Sequence, residues 1–301
     1  MGELRRATAI GFGAVLLWAL LAPLAVLGDR LPPFLTTGLA FAVATLVGLA
    51  DLVRRGRPWR EALAHRLVHW VFATAGLFGF HALYFAALRV APPVEASLII
   101  YLWPLYIVLL QGALPGGSLM PRHLVGALMG LAGTALLLTR EEAPAFGEVG
   151  LLGYVTAFAA GVTWASYSVL NRRINRGVAT EAVTGFCAAT AVLALAFHLA
   201  VEPPVMPTPR DALAVLLLGL GPVGLAFFLW DYGTKHGDLR VLGASAYAAP
   251  LLSTLILVAM GAAPATLSLA LACLLIVGGA GWASGDLWRR RREGTMQHRP
   301  S

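Results

Sequence analysis

The stretch Tyr101-Leu102-Trp103-Pro104-Leu105 returns 146 residues later as Tyr247-Ala248-Ala249-Pro250-Leu251. Both copies sit inside long apolar runs, and the same offset brings other residues into register. Trp18-Ala19 falls on Trp164-Ala165, Tyr84 on Trp230, and Ala132-Gly133 on Gly278-Gly279. A one-residue slip places Thr37-Gly38 on Thr184-Gly185. No gap is needed from the third apolar run of each half to the fifth. The chain therefore reads as a duplication, and the solvent around it decides what is duplicated.

That solvent is lipid. The chain has 301 residues, of which 12% are charged, and its mean hydropathy is +0.77. A soluble domain carries about 25% charged residues. The apolar residues form ten blocks, 8–28, 33–52, 67–88, 93–114, 121–139, 150–171, 181–201, 211–234, 239–260 and 266–287. Each is near the ~20 residues that a helix needs to cross the hydrocarbon. Spanning strands are about half that length and alternate in polarity. The start, MGELRR followed by an apolar run, has the look of a signal peptide, but its apolar run is too long and lacks a clear cleavage site. It reads as a first transmembrane helix.

The net charge of +7 does not point to nucleic acid, because the basic residues sit in the short segments between apolar runs. With the N-terminus taken as cytoplasmic, inside segments hold 18 of the 22 Lys and Arg residues, among them Arg54, Arg172, Lys235 and Arg289. Arg30, Arg89, Arg140 and Arg210 fall outside. This bias places both termini inside and requires an even number of spans. Five spans per half is odd, so the second half enters the membrane from the opposite side. The expected fold is all-α, with ten transmembrane helices in two inverted five-helix repeats, 1–140 and 150–288, and a basic cytoplasmic tail, 289–301. Inverted repeats are a common architecture of secondary transporters.

Ten spans, two halves of about 140 residues, an early Trp in each half and a mid-helix Pro in each fourth helix resemble the drug/metabolite transporter superfamily. The resemblance covers residues 7–288. More narrowly, the chain is similar to bacterial inner-membrane exporters of aromatic amino acids, the YddG type. The resemblance implies export, an inner-membrane location and a central cavity lined mainly by spans 1, 3, 4, 6, 8 and 9.

Candidate site residues follow from polarity at membrane depth. Pro104 and Pro250 have no N–H, so the carbonyls of Ile100 and Ala246 lose their usual partners. Paired breaks in two halves mark a transport site, with a packing kink as the alternative. The freed carbonyls are expected to face a cavity and accept from a substrate amine. Tyr101 and Tyr247 lie one turn before these prolines. Trp18, Trp103, Trp164 and Trp230, with Tyr84, are aromatic residues away from the interfaces where Trp and Tyr normally gather. They read either as a cavity that stacks flat or cationic ligands or as ordinary helix packing. Trp59, Trp70, Trp282 and Trp288 fit the interfacial belt. His81, deep in the third span, is a candidate for proton coupling or a satisfied structural histidine. Asp231 is the other coupling candidate, with Lys235 four residues later; the alternative is an interfacial ion pair whose lysine reaches to water. Glu95 is expected to be solvated at the outer mouth.

Other signals carry less. Gly126, Gly130 and Gly133, and likewise Gly278, Gly281 and Gly285, form small-residue stripes suited to helix packing or a dimer contact; a monomer is expected. Cys187 and Cys273 read as buried free thiols. Gly219-Leu-Gly221-Pro-Val-Gly224 matches a dinucleotide fingerprint but has no preceding strand. His65 and His69 lack an acidic co-ligand, so no metal or other cofactor is expected, and no nucleotide-hydrolysis motif is present.

The first reading is a secondary exporter of small amphipathic metabolites, amino acids including aromatic ones, working by alternating access. Its expected partners are the small-molecule substrate and membrane lipid. Efflux of cationic drugs is the runner-up. A membrane-embedded enzyme would need clustered polar groups at one interface, and a channel would need a ring of charge or a filter motif.

Overall fold

The computed structural model describes residues 2–25, 30–115, 119–139, 151–261 and 264–283. The expected tail 289–301, Arg140, Gly285, Trp288 and the boundaries at 140, 150 and 288 lie outside them. Among the described residues the chain is all-helical, with no strand. Seven helical stretches are long and apolar enough to cross a membrane: Pro33–Arg54, Leu67–Val90, Glu95–Ala113, Pro121–Leu138, Thr180–Val201, Pro209–His236 and Leu239–Ala259.

Chain chemistry explains where these stretches start and break. Helix α1 (Gly2–Trp18) is followed by the short α2 (Leu21–Ala25). Pro33 opens α3 (Pro33–Arg54), where its missing N–H costs nothing. The next two backbone N–H groups, of Phe34 and Leu35, donate to the buried Glu202 carboxylate at 2.9 and 3.1 Å, so a distant side chain caps this helix. After α4 (Arg60–Leu63), α5 (Leu67–Val90) runs unbroken for 24 residues.

The fourth apolar run is two helices, α6 (Pro93–Ile100) and α7 (Trp103–Ala113), with Tyr101 and Leu102 between them. The ninth divides in the same way into α13 (Leu239–Ser245) and α14 (Ala248–Ala259), labelled here in chain order after α8 (Pro121–Leu138), α9 (Leu151–Ile174), α10 (Val183–Val201), α11 (Pro209–Leu220) and α12 (Ala226–His236). The paired breaks are full interruptions and not packing kinks. Each proline sits in the first turn of the second piece, where the absent donor is harmless. Between α11 and α12 the chain widens into a π-helical turn, Gly221–Leu225. Helix α15 (Leu267–Ala283) completes the set.

The helices pack in pairs: α1 on α12, α5 on α9, α3 on α10 and α8 on α15. Close approach depends on glycine. A Cβ on Gly11 would lie 2.8 Å from the Cα of Gly233, and Gly76 lies flat against the Tyr167 ring. The glycine stripes are explained in the same way. Gly126 meets Gly279 and Ala283, Gly133 meets Ile276, and Gly130 accommodates the ring of Tyr247. They seat α8 against α15 and α13–α14 within one chain. Gly281 has open space instead. Cys187 is buried, whereas Cys273 is half-buried, and both are free.

Candidate functional site

Four tryptophans from four helices meet at the centre of the bundle. Trp18 ends α1, Trp103 begins α7, Trp164 sits mid-way along α9, and Trp230 lies in α12. All six pairs among them have ring centroids 5.0–6.3 Å apart. Most pairs are tilted or edge-to-face, and Trp164 stacks on Trp230 with an interplanar angle of 19°. Phe227 closes the cluster at 6.4 Å from Trp18 and 5.7 Å from Trp164.

The indole N–H groups are placed by polar partners that apolar helices rarely offer. Trp230 Nε1 donates to Ser168 Oγ at 3.0 Å. Trp18 Nε1 donates to the Pro222 carbonyl at 3.1 Å. Pro222 lies in the π-helical turn, so the widening exposes an acceptor where a regular helix would use it internally. The sequence reading dismissed Gly219–Gly224 as a nucleotide motif. These residues have a structural role here: Gly219 O lies where any Gly224 side chain would begin.

Towards the C-terminal end of α5 the site changes character. Trp230 is 0% exposed, Trp164 3% and Trp103 7%, whereas His81, Tyr84 and Tyr101 are half-buried. His81 Nδ1 is 2.7 Å from the Leu77 carbonyl. Its ring is surrounded by Phe41, Phe80, Phe85 and Phe227 at 5.3–6.3 Å. Tyr84 packs on Phe80 and Phe85 and lies within electrostatic reach of Tyr101. Phe80 links this group to Trp164 at 5.4 Å. The result is a half-open aromatic wall above a tryptophan floor, and no carboxylate is among the side chains that form it.

Pro104 and Pro250 are both buried, so neither faces lipid. Their freed carbonyls differ. The Ile100 carbonyl lies against Gly161 of α9, 3.2 Å from where a Cβ would stand, one turn from Trp164. The Ala246 carbonyl is not free, because Ala249 N–H donates to it at 3.1 Å. Tyr247 is not brought to the aromatic wall either. It is 0% exposed and packs with Val108, Leu251 and Ile276 beneath Gly130.

On the side of the tryptophans towards the C-terminal ends of α9 and α12 lies a buried polar cluster. Asp231 Oδ1 accepts from Asn171 Nδ2 at 2.9 Å, and its Oδ2 accepts from Thr180 Oγ1 at 2.7 Å and Lys235 Nζ at 2.8 Å. Lys235 also donates to the Val178 carbonyl and is only 7% exposed, so it does not reach to water. Asn175 bridges Asn171 to His69. His65 meets the Glu61 carbonyl instead of a metal co-ligand, and no metal-binding group occurs among the described residues. Glu95 is buried at 3% exposure, contrary to the expected solvated mouth. Trp59 and Trp282 are exposed as a belt requires, whereas Trp70 packs on Phe186.

Sequence reasoning missed Ser168, Asn171 and Asn175. All three are 0% exposed. Their spacing of three and four residues on an apolar helix marks one polar stripe, and that was the available signal.

The EamA-like transporter family model matches twice, over residues 6–139 and 151–285. An aromatic amino acid exporter of the YddG type from Ancylobacter novellus is 49% identical over 92% of this chain and 96% of its own length. Exporters of the same name from Salmonella typhimurium and Escherichia coli are 26% and 24% identical over 88% and 92% of this chain, and 92% and 96% of their own lengths. A solved crystal structure with 49% identity superposes with a TM-score of 0.87, covering 93% of this chain and 97% of the other. The chain belongs to the EamA-like transporter family and is a membrane transporter rather than an enzyme.

Proposed function

We propose that this transporter exports amino acids, aromatic ones included, across the bacterial inner membrane by alternating access. The observation that carries the reading is the tryptophan floor with its half-open wall of His81, Tyr84 and Tyr101. Flat side chains stack on such rings, and the wall residues are half-buried beside the buried Trp103, Trp164 and Trp230. Names of relatives aligned over more than nine-tenths of their own length support the same substrate class. Aromatic faces also attract cations, but a buried cation calls for a paired charge, and the wall supplies no carboxylate. Asp231 is already neutralised by Lys235.

The architecture belongs to the same proposal: ten spans, two inverted repeats at 1–140 and 150–288, and both termini cytoplasmic. The contact pattern supports it. Exchanging each helix for its counterpart 146 residues away turns α1 on α12 into α9 on α5, and leaves α3 on α10 and α8 on α15 unchanged. The twofold family match falls on the same halves. The molecule acts as a monomer in lipid, because Gly126, Gly130, Gly133 and Gly279 are used internally.

The test is flux in proteoliposomes. Radiolabelled tryptophan should exchange against internal tryptophan, with phenylalanine competing. Absence of tryptophan, phenylalanine and threonine flux would overturn the substrate class, and faster flux of a cationic dye would move the protein to the drug reading. His81 is the proton-coupling candidate within the wall. His81→Gln should flatten the pH dependence of flux, and an unchanged profile would remove that role.

A further inference from the structure

Two of the helix pairs are tightly fused. Gly11 and Gly233 hold α1 against α12, and Thr8 Oγ1 accepts from Asp238 N–H at 2.9 Å just beyond α12. Gly76 and Tyr167 hold α5 against α9. The pathway runs along the seam between these pairs. At mid-depth the seam is filled by tryptophans from both sides, and at one end by half-exposed aromatics. At the other end it is bridged by hydrogen bonds. Asn171 reaches Asp231 and Thr234, Thr180 reaches Asp231, and Lys235 reaches Val178. Each of these bonds joins α12 to α9 or to the segment that follows it.

The repeat supplies a control for this observation. Counterparts of Ser168, Asn171, Asp231, Thr234 and Lys235, 146 residues earlier, are Ala22, Ala25, Phe85, Leu88 and Arg89. Four of the five are apolar, and the fifth, Arg89, pairs with Glu202 of the segment after α10 at 3.5 Å instead of bridging this seam. Among the described residues, the hydrogen bonds that join α9 to α12 are not repeated between their counterparts α1 and α5.

We propose that Asn171, Thr180, Asp231, Thr234 and Lys235 form an inner latch, closed in this structure, whose bonds must break before the pathway opens to the cytoplasm. The latch rests on the alternating-access reading. Asp231 and Lys235 stay buried because each neutralises the other, and a lone charge at this depth would be costly. Asn171 and Thr180 are positioning residues, since they set the orientation of the carboxylate across the seam.

Ser168, one turn outward of Asn171 and 0% exposed, is the reporter. Ser168→Cys is placed in a background in which Cys187 and Cys273 are alanine, and a membrane-impermeant maleimide is added to inside-out vesicles. Labelling should be slow. Thr180→Ala, Asn171→Ala and the charge-free double variant Asp231→Asn/Lys235→Met should each raise it about tenfold, the shift expected from losing a hydrogen bond to a charged group. Thr180→Ser keeps the hydroxyl and should label slowly. Thr180 is half-buried, so its alanine variant is not a folding risk. Equal labelling of Thr180→Ala and Thr180→Ser, or no rise in Asn171→Ala, overturns the latch while native tryptophan flux leaves the carrier reading standing. Absence of native flux overturns both.

Discussion

The break at Tyr101–Pro104 and the break at Tyr247–Pro250 begin from nearly the same sequence and end in different roles. Both interrupt a helix, both bury their proline, and both place it in the first turn of the following piece. The backbone was duplicated faithfully. The side chains were not. Trp103 joins the tryptophan floor, while its counterpart Ala249 is a small packing residue that is 8% exposed. Tyr101 stands in the half-open wall, while Tyr247 is sealed beneath Gly130. The first break contributes Trp103 to the ring cluster, and the second buries Tyr247 against α8 and α15. A repeat therefore specifies where a helix may break, and the neighbours of that break specify its use.

The largest test of this difference is Trp103→Ala. It removes ring contacts to three tryptophans, and emptying a buried tryptophan's space costs about 3 kcal/mol or more. Tryptophan flux should fall by at least about tenfold, the equivalent of ~1.4 kcal/mol in transition-state stability, with a lowered melting temperature in detergent. The counterpart change Ala249→Gly should leave flux within about twofold, because it removes one methyl and no ring and costs only about 1 kcal/mol of helix propensity. Comparable losses from both would mean that the floor has no special role.

Gly130→Ala is next. The added methyl would collide with the Tyr247 ring, and overpacking of this kind typically costs 1–3 kcal/mol, that is about 2. Thermal stability should drop while the apparent affinity for substrate stays native. A changed affinity with unchanged stability would place Tyr247 in the pathway after all. Proline replacement is smaller. Pro104→Ala supplies an N–H that can bond the Ile100 carbonyl and draw it from Gly161, so flux should fall severalfold. Pro250→Ala should be nearly silent in flux, since Ala246 O already accepts from Ala249 N–H.

Much of this was legible in the sequence because lipid imposes it. Block lengths, loop charges and the 146-residue register gave the helical stretches and the matched breaks, and centrally placed Trp18, Trp103, Trp164 and Trp230 do meet. The errors have a common cause. Periodicity gives a helix face but not the neighbour on that face. Glu95 reads as a surface charge until the packing buries it. Lys235 reads as a snorkelling lysine until Val178 and Asp231 take up its ammonium. The capping of α3 by Glu202 joins residues 168 positions apart, and no local pattern announces it.

The finest discrimination is a single oxygen at each break. Tyr247 is buried, and its hydroxyl approaches the Leu105 backbone without completing a hydrogen bond. A polar group buried in this way costs free energy, so removing it should be neutral or stabilising by up to about 1 kcal/mol. Tyr247→Phe should therefore keep native flux and hold or raise the melting temperature. Tyr101 is half-buried in the wall, where its hydroxyl is available to a ligand. Tyr101→Phe should leave the melting temperature unchanged and raise the tryptophan KM severalfold, with maximal flux nearly constant, as expected for an interaction made equally in the bound and transition states. If the two variants changed places, with Tyr247→Phe altering KM and Tyr101→Phe altering only stability, the functional face would belong to the second repeat, and the division of labour between the two breaks would be reversed.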